Sequence, residues 1–225
     1  MIILVLFFSL SQFYHMVICG TLLLCWQSVI LKIMKILSDL WLVGDSYLYW
    51  AEKRAALRGI SDSFGLSQIS GTLWLTKRGM TWKELMPRLQ YEVIHNQVPK
   101  VLVIHLGAND LCNVGGATLQ HMIRNDLKQI ISLMPRCKLI FSSLVQRRSW
   151  RGATNVSAIE EKRVHTNRRI RTFLNYEHRG YFVCHKDIES AEEHFYRGDG
   201  VHLTDISTDL FLFNIKDAVK TALGF

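Results

Sequence analysis

The chain has 225 residues, of which 49% are hydrophobic and only three are proline, and its formal net charge is +8 at pH 7. This composition excludes a disordered chain, and the length suits one α/β domain with a sizeable core and a short extension. Five cysteines without a CxxC pair give neither a zinc pattern nor a dense disulfide framework. A basic surface can attract nucleic acid, anionic lipid or acidic substrates, although an ordinary solvated surface is the simpler explanation.

Residues 1–31 contain no Lys, Arg, Asp or Glu and are rich in aliphatic side chains. The run is long enough for a membrane span of about 20 residues, and Lys32 and Lys35 after it would leave the following domain in the cytoplasm. A secretory signal is less favoured because the usual positive n-region is missing. An incidental extension stays open, so localisation is undecided. We expect an apolar extension at residues 1–36 and a folded domain at residues 37–225.

From residue 37 onward, short apolar runs alternate with longer amphipathic stretches. Strands are predicted at 40–43, 72–75, 101–104, 138–141 and 181–184. Helices are predicted at 47–57, from a Thr81–Glu84 capping box to 95, and at 119–133, 157–176 and 205–223. The alternation predicts one α/β domain with a five-stranded parallel sheet, sandwiched between helices and joined by right-handed crossovers.

Ligands bind outside the carboxyl ends of the strands in an open parallel sheet, so the residues after each strand are the candidates for a site. Ser46 follows the first strand at the start of a helix, where free N–H groups favour developing negative charge. Gly79 follows the second strand and Asn109 the third, and a backbone N–H or a side-chain amide there could donate to an oxyanion. Taken singly, the three also fit a helix cap, a turn glycine and a loop asparagine.

Asp199 and His202 lie just before the last predicted helix. A histidine can remove the proton of a serine hydroxyl, and a carboxylate three residues earlier can bond the other ring nitrogen and orient it. Alone, the pair also fits a surface turn with a capping aspartate. His105 and His185 each follow a strand, and packing at a strand end is the simpler interpretation of both.

Four blocks resemble, in order and spacing, those of the SGNH (GDSL-like) hydrolases: Gly44-Asp45-Ser46, Gly79, Gly107-x-Asn109-Asp110 and Asp199-x-x-His202. The stretches 150–153 and 199–203 look like an uncharacterised vertebrate, largely fish and amphibian, branch of that family. Some SGNH domains of this kind accompany retroelements. One departure is Tyr47, which stands where a leucine is expected after Gly-Asp-Ser and puts the shape of the acyl pocket in question.

The resemblance implies a flavodoxin-like, three-layer α/β/α fold and hydrolysis of esters, thioesters or acetyl groups without a metal or other cofactor. It implies that Ser46 attacks the acyl carbon of a small or lipid-like ester. His202 would act as general base and then as general acid, oriented by Asp199. The Ser46 N–H, the Gly79 N–H and the Asn109 side chain would form the oxyanion hole.

Clustered arginines leave a different class of function open. They could bind phosphates, which would make the chain a nucleic-acid-binding module or add weak nucleic-acid binding to catalysis. An inactive pseudo-enzyme is a third interpretation. The arginines concerned are Arg147, Arg148 and Arg151 in one group, and Arg163, Arg168, Arg169 and Arg171 on a predicted helix.

Overall fold

The structure, a computed structural model, describes residues 37–177, 180–190 and 192–225. It contains five strands, β1 (Leu40–Gly44), β2 (Thr72–Thr76), β3 (Val101–His105), β4 (Lys138–Ser142) and β5 (Gly180–Val183). Its α-helices are α1 (Ser46–Leu57), α2 (Leu85–His95), α3 (Gly116–Leu133), α4 (Val156–Glu177) and α5 (Asp205–Leu223). Each predicted strand lies within one residue of an observed strand, and the predicted second helix divides into a 3-10 turn, Trp82–Glu84, and α2.

The five strands form one parallel sheet in the order β2-β1-β3-β4-β5. Strand β1 lies inside the sheet and pairs Leu40 with Thr72 on one side and with Val101 on the other. Every residue of β1 and β3 is buried, which agrees with the apolar runs Leu40–Val43 and Val101–Ile104.

Alternate strand residues point to opposite faces of the sheet, and each face has its own helical layer. Trp41 and Leu102 belong to a core cluster that includes side chains of α2, α3 and α4. Leu42 and Val103 belong to a second cluster that includes side chains of α1 and α5. The predicted three-layer α/β/α sandwich with a five-stranded parallel sheet is therefore confirmed.

The membrane-span, signal and extension hypotheses for residues 1–31, and the boundary after residue 36, fall outside the described residues and stay predictions. Among the helices that the structure describes, none is long and apolar enough to cross a membrane.

The order of the strands bears on function. Because β2 and β3 flank β1 on opposite sides, the chain reverses its winding direction there, and the carboxyl end of β1 is where such sheets bind ligands.

Candidate active site

Ser46 is the first residue of α1, directly beyond the carboxyl end of β1. The preceding Asp45 caps the helix, because its Oδ1 accepts a hydrogen bond from the Tyr47 N–H at 3.0 Å. Gly44 is required for close packing, since a Cβ there would lie 2.2 Å from the carbonyl oxygen of His105 on β3. The turn thus holds Ser46 at a helix N-terminus, 6% exposed, where negative charge is favoured.

Asp199 and His202 form a close pair in the loop before α5. Their Oδ2 and Nδ1 atoms are 2.5 Å apart, while the other carboxylate oxygen accepts from the Val201 and His202 N–H groups at 2.9 Å each. Desolvation alone would raise the pKa of Asp199, but these hydrogen bonds outweigh it and lower the pKa to about 2. With Nδ1 donating to an ionised carboxylate, Nε2 of His202 is the nitrogen that can accept a proton.

Two side chains of α1 connect this loop to the helix that begins with Ser46. The hydroxyl of Tyr47 donates to the carbonyl of Val201 at 2.8 Å, and both residues are buried. The ring of Trp50, one helical turn after Ser46, lies 6.3 Å from the ring of His202 at an interplanar angle of 73°. The Asp199–His202 pair is therefore placed against the first turn of α1.

Among the described residues, no atom, including those of His202, lies within hydrogen-bonding distance (3.5 Å) of Ser46 Oγ with suitable geometry. Catalytic hydrogen bonds are often long or poorly aligned before substrate binds. The Asp199–His202 pair thus lies against helix α1, of which Ser46 is the first residue, but His202 and Ser46 are not hydrogen-bonded to each other.

Asn109 lies in a short 3-10 turn after β3, beside Asp45 and the turn that follows β2. Its Nδ2 donates to the Met80 carbonyl at 3.0 Å and, more weakly, to Asp45 Oδ2 at 3.4 Å. Gly79, adjacent to Met80, has a φ of 71°, which glycine adopts without strain. The three segments predicted to supply oxyanion donors therefore meet at one edge of the sheet.

A buried aspartate joins two of these segments. Asp110 accepts a hydrogen bond from the Trp82 N–H at 2.9 Å, so the loop after β3 holds the segment that follows β2. Burial is the main reason that the pKa of Asp110 is raised, and this hydrogen bond acts in the opposite direction. Sequence analysis did not assign Asp110 a structural role, although its place in the Gly107-x-Asn109-Asp110 block singled it out.

Arg147 corrects one prediction. The sequence predicted that it belongs to a phosphate-binding cluster, but its side chain is only 7% exposed and lies against Asp45 and Asn109. Its Nη1 donates to Asn109 Oδ1 at 3.4 Å and its Nη2 is 3.7 Å from Asp45 Oδ2. The guanidinium packs against the rings of Tyr47 and Trp150 at 5.5 and 5.0 Å. Arg147 is thus a buried cation behind the predicted oxyanion donor and cannot reach a nucleic acid.

The rest of the basic cluster is also divided by the fold. Arg163 is buried and bonds Glu160 at 2.7 Å and the Leu144 carbonyl at 2.8 Å. Arg148 is exposed but lies 3.5 Å from Glu193, while Arg151, Arg168, Arg169 and Arg171 are exposed on two separate segments. The structure does not support the nucleic-acid interpretation.

Asp45 is completely buried between the serine turn and Arg147. Burial raises the pKa of Asp45, and the charge of Arg147 and the hydrogen bond from the Tyr47 N–H only partly counteract that effect. The same arrangement leaves Nε and Nη2 of Arg147 buried without a hydrogen-bond partner among the described residues. A guanidinium kept in this position provides a fixed positive charge close to Asn109.

A second serine–histidine cluster lies inside the protein, and sequence analysis missed it. Ser142 Oγ is 2.9 Å from His105 Nδ1 and 2.7 Å from His185 Nε2, and all three residues are buried to 99% or more. Burial lowers the pKa of His105 to about 3, helped by the charge of Arg147, and lowers the pKa of His185 well below its usual value. No ester can reach this serine, so the cluster is structural. The sequence signal was a pair of serines, Ser142 and Ser143, directly after the apolar run Leu139–Phe141.

The sequence matches no protein-family model and no curated protein. Its fold does match solved structures at low sequence identity. A GDSL-like lipase from Bacteroides thetaiotaomicron superimposes with a TM-score of 0.66 at 18% identity, over 81% of this chain and 88% of that one. A lipase/acylhydrolase from Enterococcus faecalis gives 0.59 at 18% identity, over 81% and 95%.

An acetyl xylan esterase gives a TM-score of 0.57 at 15% identity, over 80% of this chain and 98% of that one. The three proteins are similar in architecture to this chain across most of their own lengths. The chain therefore has the α/β/α fold of GDSL-like lipases and acylhydrolases, with a five-stranded parallel sheet between two layers of helices.

Proposed function

We propose that this protein is a serine hydrolase of the SGNH type that cleaves carboxylic esters, thioesters or acetyl groups. One observation carries the proposal: the Asp199–His202 pair is attached, through Tyr47 and Trp50, to the helix whose first residue is Ser46. The fold of GDSL-like acylhydrolases and the ordered sequence blocks support it. The similar solved structures do not support the resemblance to a fish and amphibian branch of the SGNH family. That part of the prediction therefore rests on the sequence alone.

In the proposed reaction, Ser46 Oγ attacks the acyl carbon while Nε2 of His202 takes the hydroxyl proton. The carbonyl oxygen becomes an oxyanion that receives hydrogen bonds from the Ser46 N–H, the Gly79 N–H and Nδ2 of Asn109. When the tetrahedral intermediate collapses, His202 gives its proton to the leaving alcohol or thiol. Water then attacks the acyl-enzyme by the same steps and releases the acid.

Asp199 and Arg147 contribute without touching the substrate. Asp199 is ionised at neutral pH because its pKa is about 2, so it stabilises the imidazolium that forms on His202. Arg147 donates to Oδ1 of Asn109, which turns Nδ2 of that amide away from the guanidinium. The long 3.4 Å contact from Nδ2 to Asp45 is the weaker of its two hydrogen bonds, and it is the one that an oxyanion would replace.

The decisive experiment is labelling with a fluorophosphonate probe, which forms a covalent bond with an activated serine. We expect the wild-type protein to be labelled and Ser46→Ala to be neither labelled nor active. Ser142→Ala is the matched control, because it removes a serine that contacts two histidines and is completely buried. Labelling and ester hydrolysis at the wild-type rate in folded Ser46→Ala would refute the proposal.

The oxyanion hole is tested separately. Loss of one preformed donor typically costs about 3 kcal/mol in the barrier, so Asn109→Ala should lower kcat about a hundredfold or more. KM should change little, because the interaction strengthens mainly in the transition state. A normal kcat in Asn109→Ala would remove Asn109 from the proposed hole while leaving the nucleophile assignment intact.

A further inference from the structure

Trp50 stands at the rim of the candidate site, and two arginines from later segments of the chain lie against its ring. Its ring lies 6.3 Å from that of His202, and the guanidinium of Arg197 lies 4.4 Å from the centre of the indole. The guanidinium of Arg78, the residue before Gly79, lies 5.8 Å from it. Two cations thus converge on one aromatic ring next to the histidine that would move the proton.

Arg78 has a charge that the described protein does not neutralise. The residue is exposed, and within the described ranges it has no carboxylate oxygen within 4.0 Å. Its guanidinium lies over the indole ring of Trp50. Stacking on an aromatic ring holds a guanidinium in place while its N–H edges stay available for a ligand.

Arg197 is part of the loop that carries His202. Its backbone N–H donates to the His202 carbonyl at 2.7 Å, and its Nε donates to the Leu203 carbonyl at 2.9 Å. Its Nη2 is 3.9 Å from Asp205, a carboxylate that lies closer, at 3.2 Å, to Arg54. The Arg197 guanidinium is therefore held in position with its charge only weakly compensated.

Asp199 forms no ion pair with Arg78 or Arg197 in the described part of the chain, and its two oxygens accept hydrogen bonds from the Val201 N–H and from the N–H and ring of His202. We infer that Arg78 and Arg197, stacked on Trp50, form a subsite for a carboxylate or phosphate carried by the ester substrate. The inference rests on the proposed function and narrows its substrates to anionic esters. Guanidinium groups bind both kinds of anion through paired hydrogen bonds.

Two pairs of esters test the subsite and show which half of the substrate carries the charge. Monomethyl adipate and dimethyl adipate differ by a carboxylate in the acyl half, whereas 4-acetoxybenzoate and 4-acetoxybenzamide differ by one in the leaving alcohol. We expect the wild-type kcat/KM to favour the anionic member of at least one pair. That preference should fall about fivefold in Arg78→Gln, the effect of one ion pair of modest strength.

Arg136→Gln is the matched control, since it removes the same charge from an exposed residue before β4, at the opposite edge of the sheet. It should leave both preferences unchanged. Ser46-dependent hydrolysis with no anionic preference, or with a preference that Arg78→Gln leaves intact, overturns the inference while the proposed function stands. A preference that falls equally in Arg136→Gln also overturns it, because general surface charge would then be the cause.

Binding provides a test that does not need turnover. Calorimetric titration of Ser46→Ala protein with monomethyl adipate and, separately, with 4-acetoxybenzoate should give, for at least one of the two esters, a Kd several-fold lower than titration of the Ser46→Ala, Arg78→Gln double variant. Equal affinities of the two proteins for both esters overturn the inference. If no ester is hydrolysed by the wild-type protein, the proposed function fails, and this titration still decides whether Arg78 binds the anion.

Discussion

Tyr47→Phe tests the connection between the serine helix and the histidine loop. The change removes one hydroxyl, which donates at 2.8 Å to the carbonyl of Val201. The ring itself stays packed near His105 and Phe211, with centroid distances of 5.3 and 6.0 Å, so no large cavity forms. Val201 is 8% exposed, and its carbonyl would lose its hydrogen-bond donor in a place where water reaches it poorly.

A buried acceptor left without a partner costs about 1–3 kcal/mol, and we expect the free energy of unfolding to fall by that amount. Urea denaturation followed by tryptophan fluorescence measures it. Because His202 directly follows Val201, the loosened loop should also lower kcat, by about tenfold, since small displacements of catalytic groups are costly. Burial raises the pKa of Tyr47, so the hydroxyl stays protonated and the wild-type contact persists at alkaline pH.

Tyr49→Phe is the control, because Tyr49 lies on the same helix and its hydroxyl makes no hydrogen bond within the described part of the chain. It should change neither quantity by more than a few tenths of a kcal/mol or twofold in rate. Wild-type stability and kcat in Tyr47→Phe would show that this hydrogen bond does not hold the loop. Equal losses in both variants would refute the reasoning in the same way.

Three further outcomes are expected. Asp199→Asn should lower kcat about a hundredfold or more, measured on a neutral ester, because the pKa of Asp199 is about 2 and the variant loses the ionised carboxylate that orients His202; an unchanged kcat would contradict this. Arg147→Met should lower the free energy of unfolding by about 3 kcal/mol, since it leaves Asp45 buried without its cation. It should also lower kcat, because Asn109 loses the contact that orients its amide. An unchanged melting temperature and kcat would contradict this prediction. The pKa of His105 is about 3 in the folded protein, compared with about 6.5 in the unfolded chain. Between these pH values the imidazole is protonated only in the unfolded chain, and this favours unfolding. The free energy of unfolding should therefore fall by about 2 kcal/mol between pH 7 and pH 5 because of this residue alone. Equal midpoints of urea denaturation at the two pH values would contradict this prediction.

Much of the fold could be predicted because the local signals agreed with the tertiary structure. Strands buried on both faces are apolar at every position, as in Val101–Ile104, and such runs are hard to place anywhere but inside a parallel sheet. The last helix begins at Asp205 and ends at Leu223, as predicted. The candidate site residues were predicted from their order along the chain, since residues that follow successive parallel strands lie at one edge of the sheet.

The environment of individual side chains could not be predicted in the same way. Arg147 looks like any surface arginine in the sequence, and only the packing of Tyr47 and Trp150 around it makes it a buried cation. Ser142 and His185 are 43 residues apart, so their hydrogen bond depends on the pairing of β4 with β5. Contacts of this kind come from strand register and helix packing, which no local sequence pattern records.

The place of β1 inside the sheet also has a consequence for how the protein forms during synthesis. This strand leaves the ribosome before either of its neighbours, and it is completely hydrogen-bonded only when both β2 and β3 are available. Until residue 105 has emerged, the fully apolar segment Leu40–Val43 therefore has no complete set of partners. Among the described strands, the one that precedes the proposed nucleophile thus waits longest for its partners, and its apolar sequence suits a chaperone that binds extended apolar peptides.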